Sequence, residues 1–377
     1  MDLINYFNSR KSLILDEIRE LVELESPTLD YARTSAVSEY LAPKFEEVGA
    51  TVEFQSGFNG LHLFAYYTPT VAIEDDPILF LGHLDTVWPV GTLEKMPFRI
   101  EDGRAYGPGI FDMKSSIVLM LESLRCIREN GMKLKRPARF LLTCDEESGS
   151  HSSRQFIEDD AHDCSAVLVF EPSLPGGAAK TRRKGIGTYH LKVQGIESHA
   201  GLDPEKGASA IIELAHQIRA LHAMNDFDRG ITVNVGVISG GTGSNVIAGR
   251  AEAEIDVRFW TREDGLEIID RISGLQPVLK GTSLELSGDL NRPPLERTDQ
   301  LIDLYRRVRT LAVDLGYQLG EGSAGGASDG NFTANMGIPT LDGLGVAGSG
   351  AHAAHEHLLI DDLAPRAALI TKILTEM

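Results

Sequence analysis

The hydrophobic positions in the first half of the chain follow two spacings. Some stretches repeat an apolar residue every three to four positions, as helices do, and others form short apolar runs, as buried strands do. Helices are predicted at 11–24, 37–48 and 113–130, and strands at 51–55, 61–67, 78–81, 139–143 and 166–170. Buried strands that alternate with helices predict an α/β fold, with helices on both faces of a mostly parallel sheet.

A different order of elements follows residue 184. Strands are predicted at 187–194, 231–238, 251–259 and 283–287, and helices at 206–224 and 264–280. The order β-α-β-β-α-β predicts a small ferredoxin-like unit. The earlier pattern then returns, with helices at 300–313 and 361–375 and a strand at 338–341. We therefore expect a large αβα domain of residues 1–184 and 291–377, with residues 185–290 inserted into it.

Length, charge and cysteine content narrow the class of protein. A chain of 377 residues agrees with two domains, and the net charge of −19 argues against a nucleic-acid or anionic membrane partner. Three cysteines suggest neither a disulfide framework nor a thiolate zinc site. The first residues lack a signal-peptide pattern and no apolar run approaches ~18 residues. We expect a cytoplasmic protein, although an exported chain that was already processed would begin in the same way.

Polar side chains that bind metals follow several predicted strands or open a helix. Parallel strands bring such residues to one edge of a sheet. Imidazoles and carboxylates together suit a pair of divalent ions with an oxygen bridge between them. The candidates are His83, Asp85, Asp112, Glu146, Glu147, Glu171 and one of His352, His355 and His357.

The positions of these residues indicate separate roles. His83 and Asp85 are two apart in an extended segment, so one can bind a metal while the other orients the ring. Asp112 opens a helix, whose N-terminus favours an anion. If Glu147 is a ligand, Glu146 is left beside the activated water as general base. Each residue also has an ordinary explanation, such as a loop histidine, an N-cap or a solvated acidic turn.

A serine hydrolase is the competing enzyme class. Gly326-Ala327-Ser328-Asp329-Gly330 matches a nucleophile elbow, and Asp342 and His352 follow it in the expected order. An elbow requires a buried strand directly before it, and residues 321–325 are predicted not to form a strand. We therefore disfavour a serine mechanism. The sequence also lacks His-Glu-x-x-His, the commonest one-zinc protease signature.

Taken together, these motifs resemble the two-zinc exopeptidases and aminoacylases, most of all the bacterial glutamate carboxypeptidases (carboxypeptidase G type). The resemblance extends from about Ile18 to Leu374. The motifs that carry it are Gly82-His83-Leu84-Asp85-Thr86-Val87, Ala105-Tyr106-Gly107-Pro108-Gly109-Ile110, Asp145-Glu146-Glu147-Ser148-Gly149-Ser150, Phe170-Glu171-Pro172-Ser173 and Glu197-Ser198-His199-Ala200-Gly201.

The resemblance implies a set of metal ligands. One ion would take His83, Asp112 and Glu171, and the other would take Asp112, Glu147 and His352, with Asp112 bridging the two. His355 is the alternative to His352 as the last ligand. The sequence departs from the family at Met113, where a second aspartate is common.

The resemblance also implies catalytic and substrate-binding residues. Asp85 would orient the first histidine, and Glu146 would be the general base and acid. The inserted domain would mediate dimerisation, so that His199 reaches the partner subunit's site and helps to hold the scissile carbonyl. The substrate carboxylate would be bound by Asn245, Arg258 and, as a weaker candidate, Arg292.

The sequence therefore predicts a metal-dependent hydrolase that cleaves an amide bond next to a free carboxylate by metal-activated water. The substrate would be an N-acyl amino acid or a peptide with a C-terminal residue to remove. Two divalent ions per chain are expected, zinc first, with cobalt or manganese as alternatives, in a homodimer. A biosynthetic deacylase of the acetylornithine or succinyl-diaminopimelate type is one alternative. A non-catalytic binding protein on the same scaffold is another.

Overall fold

The computed structural model describes residues 1–68 and 75–377. The chain forms two compact units. Unit 1 comprises Met1–Thr181, Arg297–Ala324 and Ser328–Met377, and unit 2 comprises Arg182–Glu296 and Gly325–Ala327. Within the described residues, no helix is long and apolar enough to cross a membrane.

The chain up to residue 183 forms five α-helices and eight strands within the described residues. The helices are α1 (Leu3–Ser9), α2 (Lys11–Glu23), α3 (Tyr31–Glu47), α4 (Ser115–Glu129) and α5 (Arg154–Ala161). The strands are β1 (Thr51–Ser56), β2 (Leu61–Tyr67), β3 (Ile78–His83), β4 (Arg99–Glu101), β5 (Arg104–Tyr106), β6 (Ala138–Thr143), β7 (Ala166–Val169) and β8 (Ala179–Arg183).

The rest of the chain first forms most of unit 2 and then returns to unit 1. Unit 2 contains β9 (Gly185–Gln194), β10 (Ser198–His199), α6 (Ala210–His222), β11 (Thr232–Gly240), β12 (Val246–Ile247), β13 (Arg250–Phe259), α7 (Arg262–Ser273) and β14 (Ser283–Arg292). The C-terminal part of unit 1 contains α8 (Asp299–Asp314), β15 (Glu321–Ala324), α9 (Gly330–Asn335), β16 (Thr340–Leu341), β17 (Gly348–Ser349), β18 (His357–Leu359) and α10 (Leu363–Glu376).

The central sheet of unit 1 has the strand order β1-β2-β6-β3-β7-β16. Strands β6, β3, β7 and β16 are parallel to one another, and β2 pairs antiparallel with both β6 and β1 at one side of the sheet. The middle strands β3 and β7 are buried along their whole length, as their continuous apolar sequences predict. The mostly parallel sheet that the sequence predicted is therefore confirmed.

Helices cover both faces of this sheet. Successive side chains of β3 point to opposite faces and pack against a different set of helices on each. Leu79 and Leu81 belong to a core cluster that contains Ile157 of α5 and Phe332 of α9. On the opposite face, Phe80 stacks on the Phe140 ring at 4.8 Å, and Phe140 in turn contacts Phe45 of α3 at 5.7 Å. These two layers confirm the predicted αβα architecture.

The main sheet of unit 2 is antiparallel and has the order β11-β13-β9-β14. In β13 every second residue, from Ala251 to Phe259, is buried in a core cluster that includes residues of α6 and α7. The alternate residues of β13 therefore lie on the other face of the sheet. This arrangement confirms the predicted β-α-β-β-α-β unit.

Tertiary contacts change the extent of several predicted elements. The helix predicted at 206–224 begins at Ala210, because the Ser209 hydroxyl caps it by accepting from the Ile212 N–H at 3.3 Å. The helix predicted at 264–280 ends at Ser273. The next segment turns away because the buried Glu213 carboxylate accepts the N–H groups of residues 278 and 279.

Candidate metal centre

Adjacent parallel strands deliver most of the predicted metal-binding residues to one edge of the central sheet. His83 ends β3, Glu146 and Glu147 follow β6, and Glu171 follows β7. Because β6, β3 and β7 are parallel neighbours, their carboxyl ends lie side by side. Two further residues come from outside this sheet: Asp112 after β5, and His352 between β17 and β18.

Asp112 lies between the two histidines. Its Oδ1 is 3.1 Å from His83 Nε2, and its Oδ2 is 3.4 Å from His352 Nε2. His83 Nε2 is also 3.5 Å from Glu171 Oε1, and His352 Nε2 is 3.1 Å from Glu147 Oε1. The two oxygens of one carboxylate therefore face two separate groups, each with one imidazole and one further carboxylate.

The spacing of the donor atoms is compact enough for metal ions. Donor atoms of His83, Asp112 and Glu147 lie within 4.8 Å of one another, and so do donor atoms of His83, Glu146 and Glu171. The side chains of Asp112, Glu147 and Glu171 are only 13%, 6% and 9% exposed. Carboxylates this close and this buried require compensating positive charge.

The histidines show how strongly this cluster favours cations. Burial opposes protonation of His83, but hydrogen bonds to Asp112 and Asp85 outweigh it and raise the pKa of the imidazole well above its ordinary value. Hydrogen bonds to Asp112 and Glu147 raise the pKa of His352 to about 10. Although burial opposes the shift, both histidines hold the pKa of the Asp112 carboxyl below its usual range. Such a donor set fits divalent cations, which would replace these protons.

Asp85 holds the site together through two different groups. The His83 Nδ1–H donates to the backbone carbonyl of Asp85 at 3.0 Å, which leaves Nε2 facing Asp112. The Asp85 carboxylate instead accepts the backbone N–H groups of Glu146 and Glu147, at 3.2 and 3.0 Å. Its Oδ1 is 3.5 Å from His83 Nδ1. The sequence predicted that Asp85 orients His83; it did not predict that the backbone carbonyl makes this contact, nor that the carboxylate holds Glu146 and Glu147.

The three C-terminal histidines have different surroundings. His352 contacts Asp112 and Glu147, whereas the ring of His357 packs on Tyr106 with the centroids 5.2 Å apart. The side chain of His355 is exposed, and its backbone carbonyl accepts from His357 Nδ1 at 2.8 Å. The geometry thus groups His352, rather than His355, with the other predicted ligands.

Ser328 does not form the arrangement that a serine nucleophile requires. Residues 321–324 do form a strand, β15, which pairs with β8, so the prediction that no strand precedes Gly326 was wrong. The Ser328 hydroxyl is fully buried, however, and donates to the Asp342 carboxylate at 2.5 Å. A serine nucleophile needs a histidine at this position, and His352 contacts the carboxylates of the metal centre instead.

Unit 2 brings two of the four predicted substrate residues together. The short ladder of β10 and β12 pairs His199 with Val246, and the Ala200 N–H donates to the Asn245 carbonyl at 2.9 Å. The exposed His199 ring accepts the Gly201 and Leu202 N–H groups at Nδ1, both at 3.1 Å. Its remaining proton is therefore on Nε2, which can donate to a ligand.

The other two predicted substrate residues lie on one face of the main sheet of unit 2. Arg258 and Arg292 are both opposite Ile186 in the strand register, on either side of β9. Arg292 is buried, and the Arg258 side chain is 34% exposed. Arg258 already forms a two-bond ion pair with Asp256 on its own strand, at 2.9 and 3.2 Å.

A family model described as peptidase family M20/M25/M40 matches residues 79–376. The chain belongs to this family. Carboxypeptidase G2 of Pseudomonas sp. is 28% identical over 345 residues, which cover 90% of this chain and 83% of that protein. Succinyl-diaminopimelate desuccinylase of Methylococcus capsulatus is 32% identical over 317 residues, which cover 78% of this chain and 82% of that protein.

Solved structures support the fold of this M20 protein. Aminopeptidase PepT from Bacillus cereus matches with a TM-score of 0.82 at 23% identity, over 97% of this chain and 98% of that one. The M20 metallo-carboxypeptidase Sso-CP2 from Sulfolobus solfataricus matches with a TM-score of 0.74 at 16% identity, over 96% and 98%. The family model and the similarity to carboxypeptidase G2 confirm the predicted family and the prediction of a metal-dependent hydrolytic enzyme.

Proposed function

We propose that this M20 hydrolase cleaves an amide bond next to a free carboxylate, in an N-acyl amino acid or at the C-terminal residue of a peptide. The observation that carries the proposal is the position of Asp112, whose two oxygens face two separate histidine–carboxylate groups. The similarity to carboxypeptidase G2 and to succinyl-diaminopimelate desuccinylase supports the same bond type, because both names describe release of an amino acid or an acyl group.

Two divalent ions would bind at this position. Asp112 would bridge them, His83 and Glu171 would complete the ligands of one ion, and Glu147 and His352 would complete the ligands of the other. When bound, the ions supply a nucleophile from water at neutral pH and polarise the substrate carbonyl. Zinc suits mixed imidazole and carboxylate ligands, and cobalt or manganese are the alternatives.

Glu146 would act as the general base and then as the general acid. A donor atom of its carboxylate lies within 4.8 Å of donor atoms of His83 and Glu171, and its side chain is partly exposed, so water can reach it. The Asp85 carboxylate accepts the backbone N–H of Glu146 at 3.2 Å and thereby fixes the backbone from which the side chain extends. Glu146 would take a proton from the attacking water and pass it to the leaving amine.

The inserted domain, residues 185–290, would mediate a homodimer in which His199 completes the partner's active site. Two adjacent elements support an interface. In β11, which is an edge strand, Val237 and Ile238 are 54% and 62% exposed, and in α6 Ile211 and Ile212 are 45% and 51% exposed. An edge strand with exposed apolar side chains favours pairing with another chain.

The remaining unit 2 residues would recognise the substrate. His199 Nε2–H would donate to the scissile carbonyl, and Asn245, Arg258 and Arg292 would bind the free carboxylate. A planar guanidinium matches a carboxylate with two parallel hydrogen bonds. Arg258 already makes this type of contact with Asp256, so a substrate carboxylate would have to compete with that residue or join it.

A biosynthetic N-acyl deacylase is the second candidate function. The 32% identity to a desuccinylase favours it, and the same ligand set would serve it. The carboxypeptidase-type function and the deacylase function would both hydrolyse an amide bond and would differ only in the substrate. A non-catalytic binding protein on this scaffold is the alternative of another class, and it would show no turnover with any N-acyl amino acid when fully loaded with metal.

The proposal is tested with a series of N-acyl amino acids and dipeptides that carry either a free carboxylate or its methyl ester. Glu146→Gln keeps the shape of the side chain and removes the base, so we expect turnover to fall by ~10²–10⁴-fold with substrate binding retained. Ser328→Ala and the exposed Glu101→Gln are the controls and should each retain most of the activity. A folded Ser328→Ala protein without activity, beside an active Glu146→Gln protein, would overturn the metal mechanism.

A further inference from the structure

Glu356 is not among the proposed ligands, yet its carboxylate contacts the segment that carries Asp112. Its Oε1 accepts the backbone N–H groups of Phe111 and Asp112 at 2.9 and 3.1 Å. Its Oε2 accepts the Gly109 N–H at 2.9 Å and the Trp88 indole N–H at 2.7 Å. The side chain is completely buried. The four acceptor positions of this carboxylate are therefore occupied by four N–H donors.

The backbone that leads to Asp112 directs three N–H groups to one side. Gly109 has a left-handed φ of 71°, and Asp112 has a non-helical φ of −118° and ψ of 92°. A Cβ atom on Gly109 would lie 2.5 Å from a methyl group of Thr86, so a larger residue is not accommodated. Successive N–H groups that point to one side form an anion-binding nest. Glu356 supplies the anion from within the chain.

A four-stranded sheet with the order β17-β18-β5-β4 explains how Glu356 reaches this nest. Glu356 directly precedes β18, and β18 pairs antiparallel with β5, with His357 opposite Tyr106. The end of β5 leads into the segment that contains Gly109 and Asp112. Glu356 therefore lies next to the end of β5, where the segment that contains Asp112 begins.

One carboxylate thus links three segments that carry proposed ligands. His352 lies four residues before Glu356 in the same connection between β17 and β18. Asp112 lies in the nest itself, and Trp88 follows His83 by five residues. A displacement of Glu356 would move Asp112 relative to the histidine on each side of it.

We propose that Glu356 is the positioning residue of the metal centre, and that it fixes the Asp112 segment so that the two carboxylate oxygens face different histidines. This inference rests on the proposed function, because it concerns the same centre. An aspartate that bridges two ions needs a fixed backbone, since a small rotation would favour one ion at the expense of the other. Groups that hold ligands in this way contribute to metal affinity although they do not contact the metal.

The test measures metal binding by metal-free protein, with zinc chloride titrated against a chromophoric chelator and the visible spectrum recorded after addition of cobalt chloride. Glu356→Gln keeps the volume but places an amide NH₂ against N–H donors, so we expect the affinity for both ions to fall by about 10–100-fold. The cobalt spectrum should change as well. Trp88→Phe removes one of the four donors, and we expect a smaller loss of affinity in the same direction.

Glu213→Gln is the matched control. Glu213 is also fully buried and accepts backbone N–H groups, those of Val278 and Leu279 in unit 2. Its substitution should lower thermal stability and leave zinc affinity and the cobalt spectrum unchanged, which separates positioning from general stability.

A folded Glu356→Gln protein with wild-type zinc affinity and cobalt spectrum would overturn the inference. If Glu356→Gln does not fold, Trp88→Phe decides the question, because a wild-type affinity and spectrum in that variant would also overturn it. A wild-type protein that binds neither zinc nor cobalt would instead overturn the proposed function. The two failures are therefore distinguishable.

Discussion

The proposed metal ligands and the proposed substrate residues are held in contrasting ways. His83, Asp112, Glu147 and Glu171 are mostly buried, and the Asp85 and Glu356 carboxylates hold the backbone N–H groups of Glu147 and Asp112. His352 is the exception, with a side chain that is 51% exposed. In unit 2, by contrast, His199 is exposed on a two-residue ladder, Asn245 is exposed directly before the other strand of that ladder, and Arg258 is half-buried beside Asp256.

This difference follows from what each group has to bind. Metal ions need several donors at fixed distances, so the scaffold must hold the ligands in place before the ions arrive. A substrate carboxylate or carbonyl arrives from solvent and needs only a few accessible donors. The proposed metal ligands are therefore buried and held by hydrogen bonds between segments, whereas the proposed substrate residues present accessible N–H donors.

The largest effect expected in unit 2 concerns His199, which has few contacts and yet is proposed to hold the scissile carbonyl. Loss of one such donor costs ~10²–10³-fold in kcat, so we expect a fall of this size for His199→Ala. Mixing His199→Ala chains with Glu146→Gln chains should recover part of the activity, because a mixed dimer contains one site with an intact Glu146 and an intact His199 from its partner.

As controls, each variant alone is taken through the same mixing procedure. Mixed dimers that form, as seen by mass spectrometry of differently tagged chains, but show no recovered activity would contradict the action of His199 across an interface. His199→Ala with wild-type turnover would remove the residue from the mechanism altogether.

A smaller and more selective effect is expected for Arg258. A hydrogen-bonded contact with a charged group contributes about 1.5–3 kcal/mol, so Arg258→Ala should lower kcat/KM for free-acid substrates by roughly 10–100-fold. The corresponding esters should be affected much less. Asp256→Asn, which weakens the existing ion pair with Arg258, is the matched control and should not lower kcat/KM for free-acid substrates. Equal losses on acids and esters would show that Arg258 has a structural role only.

Asp160 is a buried carboxylate outside the metal centre. It tests whether burial of such a group affects the stability of the protein and leaves activity unchanged. Burial raises its pKa from 3.8 to about 6, although Arg139 lies 3.5 Å away. The native state therefore binds this proton more tightly than the unfolded state, and stability declines as pH rises from about 4 to 6. Asp160→Asn should remove this decline and raise the free energy of unfolding at pH 8 by up to about 3 kcal/mol, with turnover unchanged.

Denaturant unfolding at several pH values measures this effect. An Asp160→Asn protein that keeps the wild-type slope between pH 4 and 6 would show that another group is responsible. A change in the turnover of Asp160→Asn would show that this carboxylate affects the active site as well as stability.

The sequence allowed the central sheet and the residues at its edge to be predicted, because buried parallel strands leave continuous apolar runs and His83 and Glu171 directly end or follow such runs. The role of Glu356 was not predicted because its partners are mainly backbone N–H groups, which the sequence does not reveal. Strand β15 was missed because its four residues, Glu321–Ala324, have no apolar alternation.

The predicted substrate residues pose a different difficulty. Alternation in β13 correctly placed Arg258 on the face away from the core, but its ion pair with Asp256 depends on side-chain conformation as well as on strand periodicity. The proposed action of His199 depends on a second chain, so a single sequence contains no direct signal for it. These roles stay predictions until the experiments above are done.

The most direct test of the account is a crystal structure of the zinc-loaded protein with anomalous diffraction at the zinc edge, together with the metal content per chain in solution. We predict two zinc ions per chain, with Asp112 between them, His83 and Glu171 on one side, and Glu147 and His352 on the other. A fully active protein with one ion or none per chain, or with ions bound away from Asp112, would contradict the central claim.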